Sequence, residues 1–196
     1  MGDVDIAVSV DSAGGLFCRD RDPEIIARAL NCLAAQPWCG ALADAAGTHG
    51  LTLADLGLDG PRAPDIALVL AAVDDDGPYG WRGSTVHDAA YPNGGGIHGG
   101  LHPLELNNWL AMAGTKFGPA QTIATPAGIT DVLPTVLQVL GAAISPQIQG
   151  RVLTEALGGA PIAPVAITRN KIANLRISQV GTTRYLDGLA SPLPGQ

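Results

Sequence analysis

Ile66-Ala67-Leu68-Val69-Leu70-Ala71-Ala72-Val73 is the stretch on which the fold turns. Continuous aliphatic residues, without the alternation of a half-exposed strand, are the pattern of a strand covered on both faces and set inside a sheet. Asp74-Asp75-Asp76-Gly77-Pro78 follows and reads as a solvated turn that closes the strand. It lacks the oxygen-ligand spacing of a calcium loop. This is also the longest apolar run, and it falls far short of the ~20 residues that cross a bilayer, so no transmembrane segment is expected.

A strand buried on both faces needs covering elements, and two helices are legible. Asp22 as cap, Pro23 in the first turn, Glu24 at the positive end of the dipole, and Ile25, Ile26, Ala29, Leu30 and Leu33 at helical spacing predict a helix over Pro23–Ala35. Gln36-Pro37 ends it. A second helix starts at Thr130 or Asp131 and runs to Leu140, with Leu133, Val136, Leu137 and Leu140 on one apolar face and Gly141 as terminator. Both are expected to pack on Ile66–Val73.

Further out, Val4–Val10 and Trp38–Ala43 read as strands, Gly14-Gly15 as a turn before the short apolar segment Leu16–Cys18, and Trp109–Ala113 as an apolar strand. Pro103–Asn107 reads as a helical turn. Leu175–Val180 and Thr182–Leu186, separated around Gly181, predict a closing antiparallel hairpin. No repeat or linker divides the chain, so the expectation is one mixed α/β domain over residues 1–196, a sheet flanked by helices.

Composition narrows the partners. With 11 Lys+Arg against 18 Asp+Glu the formal charge is −7, and no clustered basic face suited to a phosphate backbone is present. A phosphate-bearing substrate would need a metal ion to supply positive charge. The N-terminal residues have neither the basic start nor the apolar stretch of a secretory signal, so the expectation is either a cytoplasmic location for the chain as it stands or a true beginning that lies upstream of Met1. Cys18, Cys32 and Cys39 match no zinc module and read as small apolar core residues.

The segment richest in chemical meaning is Gly94-Gly95-Gly96-Ile97-His98-Gly99-Gly100, inside a Gly-rich loop from Gly80 to Gly100. Loops of that length inside a compact domain are usually functional or disordered. One imidazole is surrounded by residues without side chains, which lets backbone and ions approach closely. No Lys-Ser/Thr follows, as a phosphate loop requires, and the dinucleotide spacing is absent. His98 therefore reads either as a metal ligand or as an ordinary loop histidine. His98 and His102 are spaced like a helical zinc pair, but Gly99, Gly100 and Pro103 oppose a helix there, and no Glu follows His98 as the metalloprotease motif demands. His87-Asp88 reads as a solvated loop and His49 as part of a surface turn. Ser84-Thr85 lies near His87-Asp88, yet no Gly-x-Ser-x-Gly elbow presents either hydroxyl.

Several of these stretches, in order, resemble the alkaline phosphatase superfamily, and within it the type I phosphodiesterase and nucleotide pyrophosphatase branch. They are Asp20-Arg21-Asp22-Pro23, Gln36-Pro37-Trp38, Pro61-Arg62-Ala63-Pro64-Asp65, Gly95-Gly96-Ile97-His98-Gly99-Gly100-Leu101, Glu105-Leu106-Asn107-Asn108, and Ala111 to Phe117. Asp131-Val132-Leu133-Pro134-Thr135-Val136-Leu137, Gly150-Arg151-Val152-Leu153-Thr154-Glu155-Ala156-Leu157 and the tail Arg176 to Thr183 continue the likeness. The resemblance implies an alkaline-phosphatase-like sheet represented by its C-terminal portion. It also implies a hydrolase of small phosphate esters that uses two divalent metals, usually zinc, to clamp the ester while a hydroxyl attacks phosphorus.

Of the family's ligands it carries over only His98. The nucleophile motif, the early Asp ligands and the Asp-His pair find no match, and Asp3, Asp5 and Asp11 sit in no such motif. Where the family motif has a Ser this chain has His102, and Gln149 stands where an Asp precedes the equivalent of Gly150. A core split in this way would leave apolar surface that favours self-association. Two functions follow: the C-terminal part of a metal-dependent phosphodiesterase or phosphatase, inactive alone, or a stand-alone non-catalytic α/β domain that keeps the fold.

Overall fold

The computed structural model describes residues 5–10, 13–77, 80, 82–87, 90, 92–118, 120–170 and 174–190. The chain forms two compact units, one of residues 1–107, 169–175 and 188–196, the other of residues 108–168 and 176–187.

In the first unit, β1 (Ile6–Val10), β2 (Ala13–Cys18), α1 (Pro23–Ala34), β3 (Cys39–Asp44), β4 (Leu51–Thr52) and β5 (Ile66–Leu70) follow in chain order. They form a five-stranded sheet of order β1-β2-β5-β3-β4. β5 is central, antiparallel to β2 (Leu16 opposite Ile66) and to β3 (Asp44 opposite Ile66), and all five of its residues are buried. Helix α1 starts as expected, because the Asp22 carboxylate accepts from the amides of Glu24 (2.8 Å) and Ile25 (3.4 Å). Its Ala29 and Leu30 pack with Leu16, Leu42, Ile66, Leu68 and Leu70 as the core of this unit. Buried Asp65 accepts from the Cys18 amide (2.7 Å) and pairs with Arg21 (2.8 Å), which also donates to the Ala63 carbonyl (3.1 Å).

Beyond β5 the structure departs from the expected single strand. The ladder stops at Leu70, Ala71 donates to the Trp38 carbonyl and accepts from Val86, and the chain enters β6 (Ala72–Asp76), which pairs with β7 (Arg82–Thr85) in a separate two-stranded sheet. Asp74, Asp75 and Asp76 are therefore exposed strand residues and not a turn. Asp74 is held across the pair by Arg82 at 2.7 and 3.3 Å. An aliphatic run reports burial, and burial continues through Ala71 while the pairing partner changes.

Gly14 and Gly15 lie within β2 and not in a turn. Residues 109–113 form no strand, and Trp109 is 83% exposed. Cys18 is buried and Cys39 half-buried, but Cys32 is exposed on α1, on the side away from its core residues. Residues 1–4, 11, 78 and 88, on which parts of the sequence reading fall, lie outside the described residues.

A four-residue helix α2 (Pro103–Leu106) forms where the helical turn is expected. In the second unit, α3 (Val132–Leu140) ends at Gly141 in the left-handed conformation (φ 67°). Its buried face is made by Pro134 and Thr135 beside Asp131, while of the expected apolar face Leu133, Val136 and Leu140 are exposed and only Leu137 is half-buried. The reason is polar. Fully buried Thr135 donates to the Asp131 carbonyl (2.7 Å) and accepts from the Leu153 amide (3.0 Å), so the helix turns its hydrogen-bonding side inward. The chain closes with β8 (Val165–Asn170), β9 (Asn174–Val180) and β10 (Thr183–Ala190) in an antiparallel three-stranded sheet of order β10-β9-β8. The expected hairpin is its β9-β10 pair. β8 was not legible in the sequence.

Candidate functional site

Two constellations are built from the residues that the sequence reading singles out. The first surrounds α2. Its N-cap is His102, whose Nδ1 accepts from the Leu104 amide at 3.2 Å, while Glu105 returns a carboxylate oxygen to the His102 amide at 3.3 Å. This is a capping box with an imidazole in the place of a hydroxyl. Because Nδ1 spends its lone pair on an N–H, the ring proton resides on Nε2. His102 offers no nitrogen lone pair to a metal while the cap is formed.

Gly100 is part of the same device. A Cβ there would meet the Glu105 carboxylate, so a side chain at this position would displace the carboxylate from its present place. Glu105 Oε1 is buried with no hydrogen-bond partner among the described residues. A cavity of about 570 Å³ opens beside the turn, lined among others by Ser84, Thr85, His87, Gly94–Gly96, His102 and Glu105. Ile97 also lines it. His98, the next residue, does not, and its side chain is exposed. The structure thus separates the two histidines spaced four apart: one caps a helix and the other stands on the open Gly-rich segment. His87 reaches the cavity wall, and Asp88 lies outside the described residues. His49 sits in a turn over residues 47–50, as expected, with Nε2 buried.

The second constellation is a buried network in the second unit that the sequence reading did not assign. Fully buried Asp131 accepts from the amides of Gly128 and Arg151 and from the Tyr185 hydroxyl, each at 2.8 Å. The Arg151 guanidinium donates to Tyr185 (2.8 Å), to the Pro126 carbonyl (2.8 Å), and to both oxygens of Glu155 (2.6 and 3.0 Å). Side-chain exposure in this ion pair is 12% for Arg151 and 2% for Glu155. The hydrogen bonds to Glu155 raise the Arg151 pKa, and those from Arg151 lower that of Glu155. Burial, followed by the bond to Asp131, pushes the Tyr185 phenol up to about 12. Gly150 precedes Arg151 because a Cβ there would fall onto the Thr130 carbonyl. Every charge in this network has a partner, which is the arrangement of a structural lock. The only sequence signal for it was the spacing of Asp131, Thr135, Gly150 and Arg151.

Among the described residues no three His, Cys, Asp or Glu side chains come together as a metal-binding group. The donors present do not by themselves fit a two-metal centre, to which His98 would bring one imidazole. No helix among them is long and apolar enough to cross a membrane. No protein-family model matches the chain, and neither curated proteins nor solved structures give a significant match.

Proposed function

We propose that this chain is the C-terminal part of a metal-dependent hydrolase of phosphate esters, of the alkaline-phosphatase-like, type I phosphodiesterase kind, with His98 as one metal ligand. One observation carries the reading: four of the stretches that make up the resemblance meet in two pairs. The Asp20–Pro23 stretch meets the Pro61–Asp65 stretch through Arg21 and Asp65. The Asp131–Leu137 stretch meets the Gly150–Leu157 stretch through Asp131, Thr135 and Arg151. Residues that must bond across 20 or 44 positions form a constrained set, and matching such a set is harder than matching isolated glycines. His98 suits a ligand role because its side chain is exposed on a segment where neighbouring glycines leave room for an ion. The remaining donors and the hydroxyl nucleophile come from outside these residues, and in a chain of net charge −7 bound metal ions would supply the positive charge that a phosphate ester needs.

The second reading, a non-catalytic domain that keeps the fold, is favoured by the lack of converging donors among the described residues. The discriminating experiment extends the chain upstream, in frame, and looks for an Asp-x-x-Thr or Asp-x-x-Ser segment followed by an Asp-His pair. With that segment present, the extended protein hydrolyses an aryl phosphodiester with zinc, and His98→Ala causes a large loss of zinc affinity while His102→Ala causes a small one. Equal losses would point to a local two-histidine site. Residues 1–196 alone are silent in the same assay. Turnover by the isolated chain, abolished by chelation and by His98→Ala, would refute that division of the site.

A further inference from the structure

Asn93-Gly94 is the one place in the chain where glycine follows an asparagine. Asn31, Asn107, Asn108, Asn170 and Asn174 all precede residues with side chains. The backbone nitrogen after an asparagine is a nucleophile held next to the side-chain carboxamide, so the two react as neighbours and not by chance encounter. Attack on Cγ closes a five-membered imide. A β-carbon on the attacking residue obstructs that approach, and glycine has none.

The structure leaves both reacting groups available. Asn93 and Gly94 are exposed, and neither the Asn93 carboxamide nor the Gly94 amide has a hydrogen-bond partner among the described residues. They are the central pair of a turn in which the Gly95 amide donates to the Pro92 carbonyl (3.1 Å) and Gly94 takes φ 87°. Ring closure needs a rotation of the Asn93 backbone that opens this single exposed bond, and residues 94, 95 and 96, all glycine, bring no side chain to resist it. The other asparagines are worse placed. Asn31 lies inside α1, where helical bonds hold the dihedrals, and Trp109 follows Asn108.

We infer that Asn93 is a self-modification site that converts with time to isoaspartate and aspartate. The Gly94 nitrogen bonds to Asn93 Cγ as the Cγ–Nδ2 bond breaks, and the proton lost from that nitrogen leaves with the amide group as ammonia. Water then opens the imide. Addition at Cγ restores the ordinary main chain with an aspartate, whereas addition at the main-chain carbonyl carbon of residue 93 gives isoaspartate, whose main chain runs through the side-chain carbon. Asn93 lines the cavity beside α2, so either product puts a carboxylate on that wall, in a chain already at −7 and where Arg82 is paired with Asp74. The iso form also adds a methylene to the main chain five residues before His98. This goes beyond the hydrolase reading and does not depend on it.

Ageing the full chain for weeks in mildly alkaline buffer tests this. Peptide mapping needs fragment-ion localisation, because trypsin leaves Asn93, Asn107 and Asn108 together in residues 83–116. Exchange of the amide nitrogen for oxygen at residue 93 is expected to run at least about tenfold faster than at any other asparagine, equivalent to about 1.4 kcal/mol of barrier. It accelerates as pH rises, since the attacking nitrogen must lose its proton, and it gives both isomers. Asn93→Gln, which would need a six-membered ring, keeps the wild-type circular dichroism and stays unmodified over the same period. A synthetic peptide of residues 90–97 is aged alongside. Asn93 that stays intact in the folded chain while the peptide converts would overturn the inference. So would a faster asparagine elsewhere, or aspartate formed without isoaspartate, which marks direct hydrolysis with no imide.

Discussion

Replacing Arg151 by leucine removes the hub of the buried network. The guanidinium makes four short hydrogen bonds, to Tyr185, Pro126 and both oxygens of Glu155. Leucine fills the stem but leaves a carboxylate, 2% exposed, with no cation. Breaking one side of a buried ion pair costs about 3–5 kcal/mol. The lower end applies here, because Tyr185 keeps its bond to Asp131 and Asp131 keeps both amide donors. We expect a loss of about 3 kcal/mol in urea unfolding followed by far-ultraviolet circular dichroism at pH 7, with an unchanged m-value.

Two internal controls follow. Without arginine, Glu155 is held above its ordinary pKa by burial. A group raised in the folded state contributes most below its unfolded pKa, so the penalty shrinks as pH falls toward 5. The double variant Arg151→Leu/Glu155→Leu removes both charges and recovers at least half of the loss. A single-variant loss under about 1 kcal/mol, the value of a surface pair, would refute the assignment of this network as a lock. A double variant no more stable than the single would refute it too.

Gly150→Ala should be among the most damaging small substitutions in the second unit, because the methyl meets the Thr130 carbonyl. We expect a loss of more than about 2 kcal/mol in the same urea assay. The network also sets two pH limits on wild-type stability, measured as thermal midpoints. Glu155, depressed below its ordinary 4.5, contributes above that value, and its contribution is lost as pH falls through the depressed pKa. Tyr185, raised from 10.0 to about 12, contributes fully below pH 10, and its contribution is lost as pH rises toward 12. Tyr185→Phe should flatten the alkaline limb specifically. At the first constellation, His102→Ala should cost about 1 kcal/mol as a lost cap and His102→Asn much less, read by urea titration. Equal costs would mean that the imidazole does not act as the cap.

What the sequence determined by itself is what local physics settles. Helix α1 could be read because its cap, its first-turn proline and its apolar spacing all lie within a dozen residues, and Asp22 satisfies amides only two and three positions away. The end of α3 at Gly141, the turn at Pro103 and the closing strands around Gly181 were legible for the same reason. Tertiary structure decided which partner each element would take. Ile66 to Val73 is uniformly aliphatic, yet the chain leaves one sheet for another at Ala71, because hydrophobicity measures burial and says nothing of which backbone supplies the next hydrogen bond. The leucines of α3 promised a buried face, but Thr135 and Asp131 claimed that side through bonds to residues 18 to 54 positions away, and Leu133 and Leu140 were turned outward. His98 and His102 are equivalent in spacing, and only the fold makes one a cap and leaves the other on the open segment. A polar group binds whichever donor or acceptor the assembled chain brings within 3 Å, and at long range no local pattern specifies which one that is.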